Sequence, residues 1–591
     1  MQVKEEDYNL VESILLDKNA EFNNLQREFI ELLKTKTIIA GPGAGKTTAL
    51  AAKIVILLKH LNRTKSKDGV CIITHTNVAV NEINNALLKA GVGTISHPHF
   101  IGTIHEFFNR YCVIPYFKYK YKHNDLLFDN EDKSDLEYYK TFVGIKKPWI
   151  NQQKFKRFRD SLPERISKSE LFVNEDNELN LNNTTNWDKF ESYRELMLEA
   201  KMSRKSNGFL TYDDTFLFSK IFFLAEDRFK EVLRKRFKYI FLDEFQDTHP
   251  QGMNLLEELF NTPNNVFQKI GDPYQTITFN QPMPIVREED IFRINITNRF
   301  GSEIAEHLNV IMPESQMQTI HKDKKSFIPI ILLYKDKNDL YTTYKDIIQE
   351  HEEFDANFKG SNKRDKVLVL ERKWASDVKA GSIYKEKKQK RLISKNEALK
   401  TTIFDFIIKR IINEGGNLSE VKEWLNNHSQ VLSLNKLLIK IIKKGNIDED
   451  KIELKNLINA FLEERGSTKI NISNNLFEKL KDITIDNEVW DVKIDNEDDI
   501  FTIHSVKGET LRSVLLVDFE EKHLTNVLLH KYGILKEGKY QFTHQNLLYV
   551  AMSRVTHLFV FAMQESDCTS EVKAVLEKNW KIEEIKAPVE V

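Results

Sequence analysis

TKTIIAGPGAGKTTALAAKIVILLKH, Thr35–His60, decides how this chain is read. A short apolar run leads into a glycine-rich turn, and a long helical pattern follows. Ala40–Thr47, AGPGAGKT, fits the phosphate-loop pattern with Ala at the place of the first glycine. Glycines there let backbone N–H groups turn inward around phosphate oxygens. Lys46 adds positive charge for β- and γ-phosphates, Thr47 offers a hydroxyl for Mg²⁺, and the following helix aims its positive end at the same spot. Gly41, Gly43, Ala44, Gly45, Lys46, Thr47 and Thr48 are thus candidate nucleotide contacts, with Thr47 also a candidate metal ligand.

Outward from this stretch the scheme repeats. VCIITHTNVAVNEINNALLKA, Val70–Ala90, is again strand, turn and helix, which implies a parallel sheet with crossover helices. KYIFLDEF (238–245) and NVFQKIGD (265–272) read as buried strands ending in acidic residues. Catalytic loops are expected at the carboxyl ends of such strands. Asp243 suits a contact to Mg²⁺, and Glu244 suits general-base work on an attacking water. Gln275, in IGDPYQT, is placed to report on a γ-phosphate.

A second α/β region is split: VLVLERK (367–373), IFTIHSVKG (500–508), SVLLVDFE (513–520) and HLFVFAM (557–563) are strand-like. Between them Phe404, Ile407, Ile408, Ile411 and Ile412 recur at helix spacing before Gly415-Gly416. The expected plan is an α/β protein with two cores, each interrupted by a mainly helical insertion. The first core takes 1–105 and 206–293 around an insertion at 106–205. The second takes 294–374 and 496–591 around an insertion at 375–495.

Bulk properties agree with a globular chain and exclude several classes. At 591 residues it exceeds what one core normally serves, and 41% apolar with 30% charged residues excludes disorder. A net charge of -1 says little, because an acidic outer face can cancel a basic groove. Cys71, Cys112 and Cys568 form no disulfide or zinc pattern, which suits a reducing cytoplasm. No leader-like start and no apolar run near the length of a membrane span is present, so neither signal peptide nor membrane partner is expected.

The ordered set GAGKTT, THTN, GTIHEFF, LDEFQDT, GDPYQTI, NRFGSEIA, TIHSVKGE and LLYVAMSR resembles the motifs of superfamily 1 helicases of the UvrD/Rep group, from Gln26 to Arg554. The resemblance implies two RecA-like phosphate-loop domains and a motor that uses ATP and Mg²⁺ to move along single-stranded DNA, 3′ to 5′, and to unwind at single-strand/duplex junctions. Gln26 looks like the residue that reads the adenine edge. Thr74, His75, Thr76 and Asn77, with Gly102, Thr103 and His105, resemble first-domain DNA contacts; Thr502 and His504 resemble those of the second, with Lys507 and Gly508 completing that motif. Arg299 and Arg554 resemble the two arginines that reach the γ-phosphate across the cleft, where they stabilise transition-state charge. Tyr549 looks like the residue that packs near that cleft.

The chain departs from the family at several places. Thr48 stands where Arg is frequent, Asn298 where an aromatic usually stacks on adenine, and His75 where a base-stacking Phe is common. GDPYQTI continues as TFNQPM, with Phe279 the nearest aromatic, and the later motif reads KGETL. Two segments, YFKYKYKH (116–123) and KKPWINQQKFKRFR (146–159), interleave aromatic and basic residues, as a DNA-binding surface or an ordinary amphipathic one would. KEKKQKR (385–391) reads as a solvated loop. Two other readings stand beside the helicase: an RNA helicase, and a nucleic-acid-sensing NTPase that gates a partner nuclease in anti-phage defence. A repair protein is the partner expected of the first reading.

Overall fold

The computed structural model describes residues 3–74, 77–93, 95–122, 126–128, 162–278, 287–320, 326–379, 386–392, 395–413, 421, 424–425, 428, 430–444, 446–485, 490–496, 499–519, 521–538 and 540–585. Two six-stranded, all-parallel sheets dominate it. Their strands are numbered β1–β12 in chain order.

The first sheet holds β1 (Lys36–Ala40), β2 (Gly69–Thr74), β3 (Phe100–Thr103), β4 (Phe237–Asp243), β5 (Val266–Gly271) and β6 (Ile291–Ile294), in the order β6-β1-β5-β4-β2-β3. Both faces are covered, so the strands are apolar runs rather than alternating ones: all of β2 is buried. On one side lies the helix Lys46–Thr64, whose Ala49, Leu50, Ile54 and Leu57 pack with Ile38, Ile72 and Phe241. Because β1, β5 and β4 are parallel neighbours, the loops after Ala40, Gly271 and Asp243 emerge at one edge.

The second sheet holds β7 (Ile330–Tyr334), β8 (Asp365–Val369), β9 (Ile500–Thr502), β10 (Leu511–Val517), β11 (Val555–Gln564) and β12 (Lys581–Glu584), in the order β9-β8-β10-β11-β7-β12. The helix Phe542–Met552 is buried along nearly its whole length on one face. That core also takes Ile39, Tyr274 and Ile277 from the first sheet and its loops, so the two sheets share apolar packing.

Contacts divide the chain into two compact units. One contains both sheets (1–104, 231–387 and 495–591); the other contains 105–230 and 388–494. The helix Asp214–Ala225 falls in the second unit, later than the sequence boundary at 206, because Phe218 packs on Phe117 at 4.8 Å and Phe216 on Phe108 at 5.9 Å. In the same unit Phe404, Ile407, Ile408 and Ile411 are buried on the helix Lys395–Asn413, as their spacing predicts. The basic run at 385–391 is a correction: Glu386–Leu392 is a strand, paired with Trp490–Asn496, not a loop. Strands β3, β6, β7 and β12 were not foreseen.

A buried ionic knot ties the amino ends of β8 and β10. Arg512 donates from Nε to Asp365 Oδ1 at 2.9 Å and from Nη2 to Oδ2, while Ser513 Oγ lies 2.6 Å from Oδ1. Tyr344 Oη closes the knot on Ser513 at 2.6 Å. Removing Asp365 leaves Arg512 its Glu352 partner at 2.7 Å and the Phe358 carbonyl at 3.2 Å, so the loss is that of hydrogen bonds to a charged group. Asp365→Ala should therefore cost about 2 kcal/mol, read as a fall in the urea unfolding midpoint of the sheet-bearing unit. An unchanged midpoint would count against this role.

Candidate nucleotide-phosphate site

The phosphate loop presses on the segment that follows β6. Gly43 adopts a left-handed backbone, φ 72°, and a Cβ there would lie 2.5 Å from the Arg299 Cβ. Gly43 also accepts from the Asn298 N–H at 3.2 Å, and Gly41 N–H donates to Ile294 O at 3.0 Å. Glycine at 43 thus meets two needs, a conformation and a close approach.

Lys46 opens the helix and is partnered by two carboxylates. Its ammonium lies 3.2 Å from Asp243 Oδ1 and also pairs with Glu244. Burial works to lower the Lys46 pKa, but Asp243 and Glu244 outweigh it, and the pKa rises. Burial raises Asp243. Burial works in the same direction on Glu244, yet Lys46 overrides it and holds Glu244 down at about 2, fully ionised. Glu244 itself sits at φ 52°, ψ 45°, a left-handed conformation uncommon for a residue with a side chain.

From Glu244 a chain of polar contacts crosses to the second sheet. Gln246 Nε2 donates to Glu244 Oε2, and Gln246 Oε1 accepts from the Asp272 N–H at 3.1 Å. Asp272 accepts from Tyr274 N–H at 3.0 Å and from Gln275 Nε2 at 2.8 Å. Gln275 Oε1 accepts from Arg554 Nη2 at 2.9 Å. Arg299 Nη1 donates to Ser553 O at 2.8 Å, one residue from Arg554. Burial lowers Arg299 to about 9, with Arg554 adding repulsion, and burial lowers Arg554 to about 10 against the pull of Asp272. Two buried guanidiniums that disfavour their own charge are what an anion would relieve.

Gln26 reaches the loop as well. Its Nε2 donates to Ala44 O at 2.8 Å, and its Oε1 accepts from the Asn23 N–H at 2.9 Å in a reciprocal cap of the helix Asn24–Glu31. One N–H and one lone pair remain available on the amide. Lys46, Asp243, Glu244, Gln275, Arg299 and Arg554 are thereby linked by contact, with Gln26 on the loop from the other side. Thr47 and Thr48 occupy the helix's first turn. For a cation, Asp243 Oδ1 is buried with the Lys46 ammonium at 3.2 Å as its one partner among the described residues, and Thr47 follows Lys46 directly. Among the described residues no cluster of three or more ligating side chains occurs. Mg²⁺ held by one carboxylate, a hydroxyl and substrate phosphates needs none, so the residues fit it.

The expected strand contacts are partly assembled. Thr74 and Thr103 are register partners at the carboxyl ends of β2 and β3, as are Ile73 and Gly102. His75, Thr76 and Phe279 lie outside the described residues, as do KKPWINQQKFKRFR, His123 and the Asn77 side chain. Residues 116–122 are described, with Tyr116 and Phe117 buried and Tyr119 exposed. His105 packs its ring on Phe216 at 4.9 Å and Tyr212 at 5.4 Å. Thr502 ends β9, and His504 Nε2 donates to Ile277 O at 2.9 Å. Tyr549 is fully buried and meets the Tyr274 ring edge-on at 6.2 Å. No role for Gln246, Asp247 or Asp272 is read from the sequence, and Lys507 is placed there in its motif without the partner found here, Asp247, whose carboxylate oxygens lie 2.7 and 2.8 Å from Nζ.

Fold and site together define a phosphate-loop α/β protein with a second parallel core set against its nucleotide loop. Residues 22–279 match the UvrD/REP helicase N-terminal domain. The chain is 25% identical over 249 residues to a probable DNA helicase II homolog of Mycoplasma capricolum, covering 41% of this chain and 33% of that protein. It is 26% identical over 265 residues to the ATP-dependent DNA helicase Rep of Buchnera aphidicola, 43% of this chain and 36% of that one. DNA helicase II of Salmonella typhimurium is 26% identical over 249 residues, 40% and 31% of the two chains. The chain thus matches about a third of the length of these relatives, and its residues 22–279 are similar to the N-terminal domain of UvrD/REP helicases.

Two outcomes follow from the electrostatics. Inorganic pyrophosphate should raise the melting temperature of the wild-type chain and lose most of that effect in Arg299→Ala/Arg554→Ala; equal shifts in both would remove the anion seat. Burial also pushes Asp272 up to about 6. A carboxyl raised on folding binds its proton more tightly when folded, so its contribution is most favourable at low pH and is lost as pH rises from about 4 to 6. Asp272→Asn should accordingly gain more melting temperature over wild type at pH 8 than at pH 5. A difference independent of pH would discard this assignment.

Proposed function

We propose that this chain is an ATP-driven motor of two RecA-like domains that travels on single-stranded DNA, 3′ to 5′, and separates duplex at single-strand/duplex junctions. The first domain is 1–105 with 231–293, the second 294–374 with 496–591, and the helical insertions are 375–495 and 106–230, the latter carried past the sequence boundary at 206 by the helix Asp214–Ala225. One observation carries the reading: the loop bearing Lys46 and the two arginines of the second core meet at one seam, through Gln275 and through Gly43.

The nucleotide sits with its phosphates on the backbone of 41–47. Lys46 leaves its carboxylate partners and turns to the β- and γ-oxygens, which frees Glu244. A Glu244 carboxylate held near pKa 2 by Lys46 becomes more basic once that ammonium is engaged by phosphate. It then orients and deprotonates the attacking water. Arg299 and Arg554 place two fixed positive charges where negative charge develops, at no reorganisation cost in a site they already occupy. Mg²⁺ bound by Thr47 and Asp243 would neutralise phosphate charge. Gln26 reads the base from its spare N–H and lone pair. Gln275, bonded both to Asp272 and to Arg554, connects phosphate occupancy to the grip of the second core on DNA at Thr502 and His504. Thr74–Asn77, Gly102, Thr103 and His105 supply the first core's grip. Alternation between two grips as the seam closes and opens moves the strand.

The test is phosphate release with and without single-stranded oligonucleotides of DNA and RNA, paired with strand displacement on 3′- and 5′-tailed duplexes. DNA should stimulate turnover, and the 3′-tailed substrate should be opened in preference. Glu244→Gln should slow turnover by roughly 10² or more, and Lys46→Ala should abolish it. Wild-type turnover in either variant overturns the site assignment; hydrolysis without displacement overturns the unwinding part.

A further inference from the structure

The helix Lys46–Thr64 buries one charged side chain, and the proposed mechanism does not use it. Lys53 is completely inaccessible to solvent. Its ammonium donates to Phe29 O at 2.6 Å and Leu32 O at 2.5 Å, and lies 4.3 Å from the Phe29 ring centroid and 5.5 Å from that of Phe241. Burial pulls its pKa well below the ordinary lysine range, with no carboxylate acting on it. Its partners are instead the carbonyls that end the helix Asn24–Glu31, where the negative end of the helix dipole favours a cation, and two aromatic faces.

That helix carries Gln26 in its first turn. Its amino end is fastened to the phosphate loop by Gln26 Nε2 on Ala44 O, and the fit is tight: a Cβ at Gly45 would lie 2.6 Å from Nε2. Its carboxyl end is fastened by Lys53, seven residues beyond Lys46, so two turns along the same element. Eight helical residues and seven helical residues span nearly equal lengths, about 12 and 11 Å. The Gln26 helix is therefore clamped at both ends to the phosphate-loop helix. Phe29 and Ile30, both fully buried, hold the helix against the core, and the Lys53 contact fixes its carboxyl end along the phosphate-loop helix, and with it the distance of Gln26 from the nucleotide.

We propose that Lys53 is a positioning residue for nucleotide-base recognition, holding the Gln26 helix at a fixed distance from the phosphate loop. This rests on the reading of Gln26 as the base contact. A Lys53→Met variant should fold, because each carbonyl keeps another donor: Leu32 N–H on Phe29 O at 3.2 Å, and Gln268 Nε2 on Leu32 O at 2.9 Å.

The experiment measures DNA-stimulated phosphate release from ATP and from GTP by the full chain. In Lys53→Met, kcat for ATP should stay within about twofold, KM for ATP should rise roughly five- to tenfold, and the preference for ATP over GTP in kcat/KM should fall by the same factor, the worth of one hydrogen bond. Adding Lys53→Met to Gln26→Ala should change nothing more, since the residue acts through Gln26. Lys53→Gln, which keeps one donor, should fall between, and it replaces Lys53→Met if that variant melts below the assay temperature. The proposal is overturned if Gln26→Ala loses base preference while the Lys53 variants keep it, or if their losses add. Gln26→Ala with unaltered preference overturns the Gln26 reading itself, and the Lys53 assignment falls with it.

Discussion

Removing an ammonium, two carboxylates and two guanidiniums from water costs several kcal/mol per ion, and mutual attraction recovers this only where each charge has a close partner. Around Lys46 the negative charges are satisfied: Asp243 and Glu244 share one lysine, and Gln246 supports Glu244. The positive charges farther along are not. Arg299 and Arg554 are held by carbonyls and an amide and repel one another. The seam thus sets two guanidiniums with no direct carboxylate partner among the described residues beside a loop shaped for phosphate, with Asp272 acting on Arg554 only through Gln275 and at longer range.

The contact between the cores is organised by backbone as much as by side chains. Three successive carbonyls after β5 are each taken by the second core: Gln275 O by Lys507 at 2.9 Å, Thr276 O by Asn546 at 2.8 Å, and Ile277 O by His504 at 2.9 Å. Gln275 lies in that segment and is held twice, by its side chain on Arg554 and by its backbone on Lys507. The pairing of Lys507 with Asp247 extends the same connection to the turn after β4.

Much of this was legible from local pattern. The glycine loop, the acidic strand ends and the arginines lie in short contiguous motifs, and strands β1, β2, β4 and β5 are buried on both faces and so read as apolar runs. What was missed has a physical reason. β12, KIEE, is an edge strand with two exposed charged ends and little apolar signal. β3 has four residues and only two buried. Gln246 and Asp272 act through contacts to residues about 26 positions away, and Lys507 through one 260 positions away, which no periodicity reveals. KEKKQKR misled because a charged strand in a two-stranded ribbon looks like a loop when its partner, Trp490–Asn496, is a hundred residues off.

Two departures from the family pattern make contacts of different kinds, one through the main chain and one through a carboxylate. Asn298, where an aromatic is usual, spends its backbone N–H on Gly43 O, so the segment contributes to loop geometry through its main chain, whatever side chain it bears. Glu509, in KGETL, pairs with Lys366 of β8 at 2.8 Å and also acts at longer range on Arg554. Lys366 in turn lies 3.6 Å from the Phe501 ring, beside Thr502. The altered motif therefore sets a carboxylate on Lys366 of β8, whose ammonium in turn lies over Phe501 of β9, while Lys507, two residues earlier, keeps its hold on the first core.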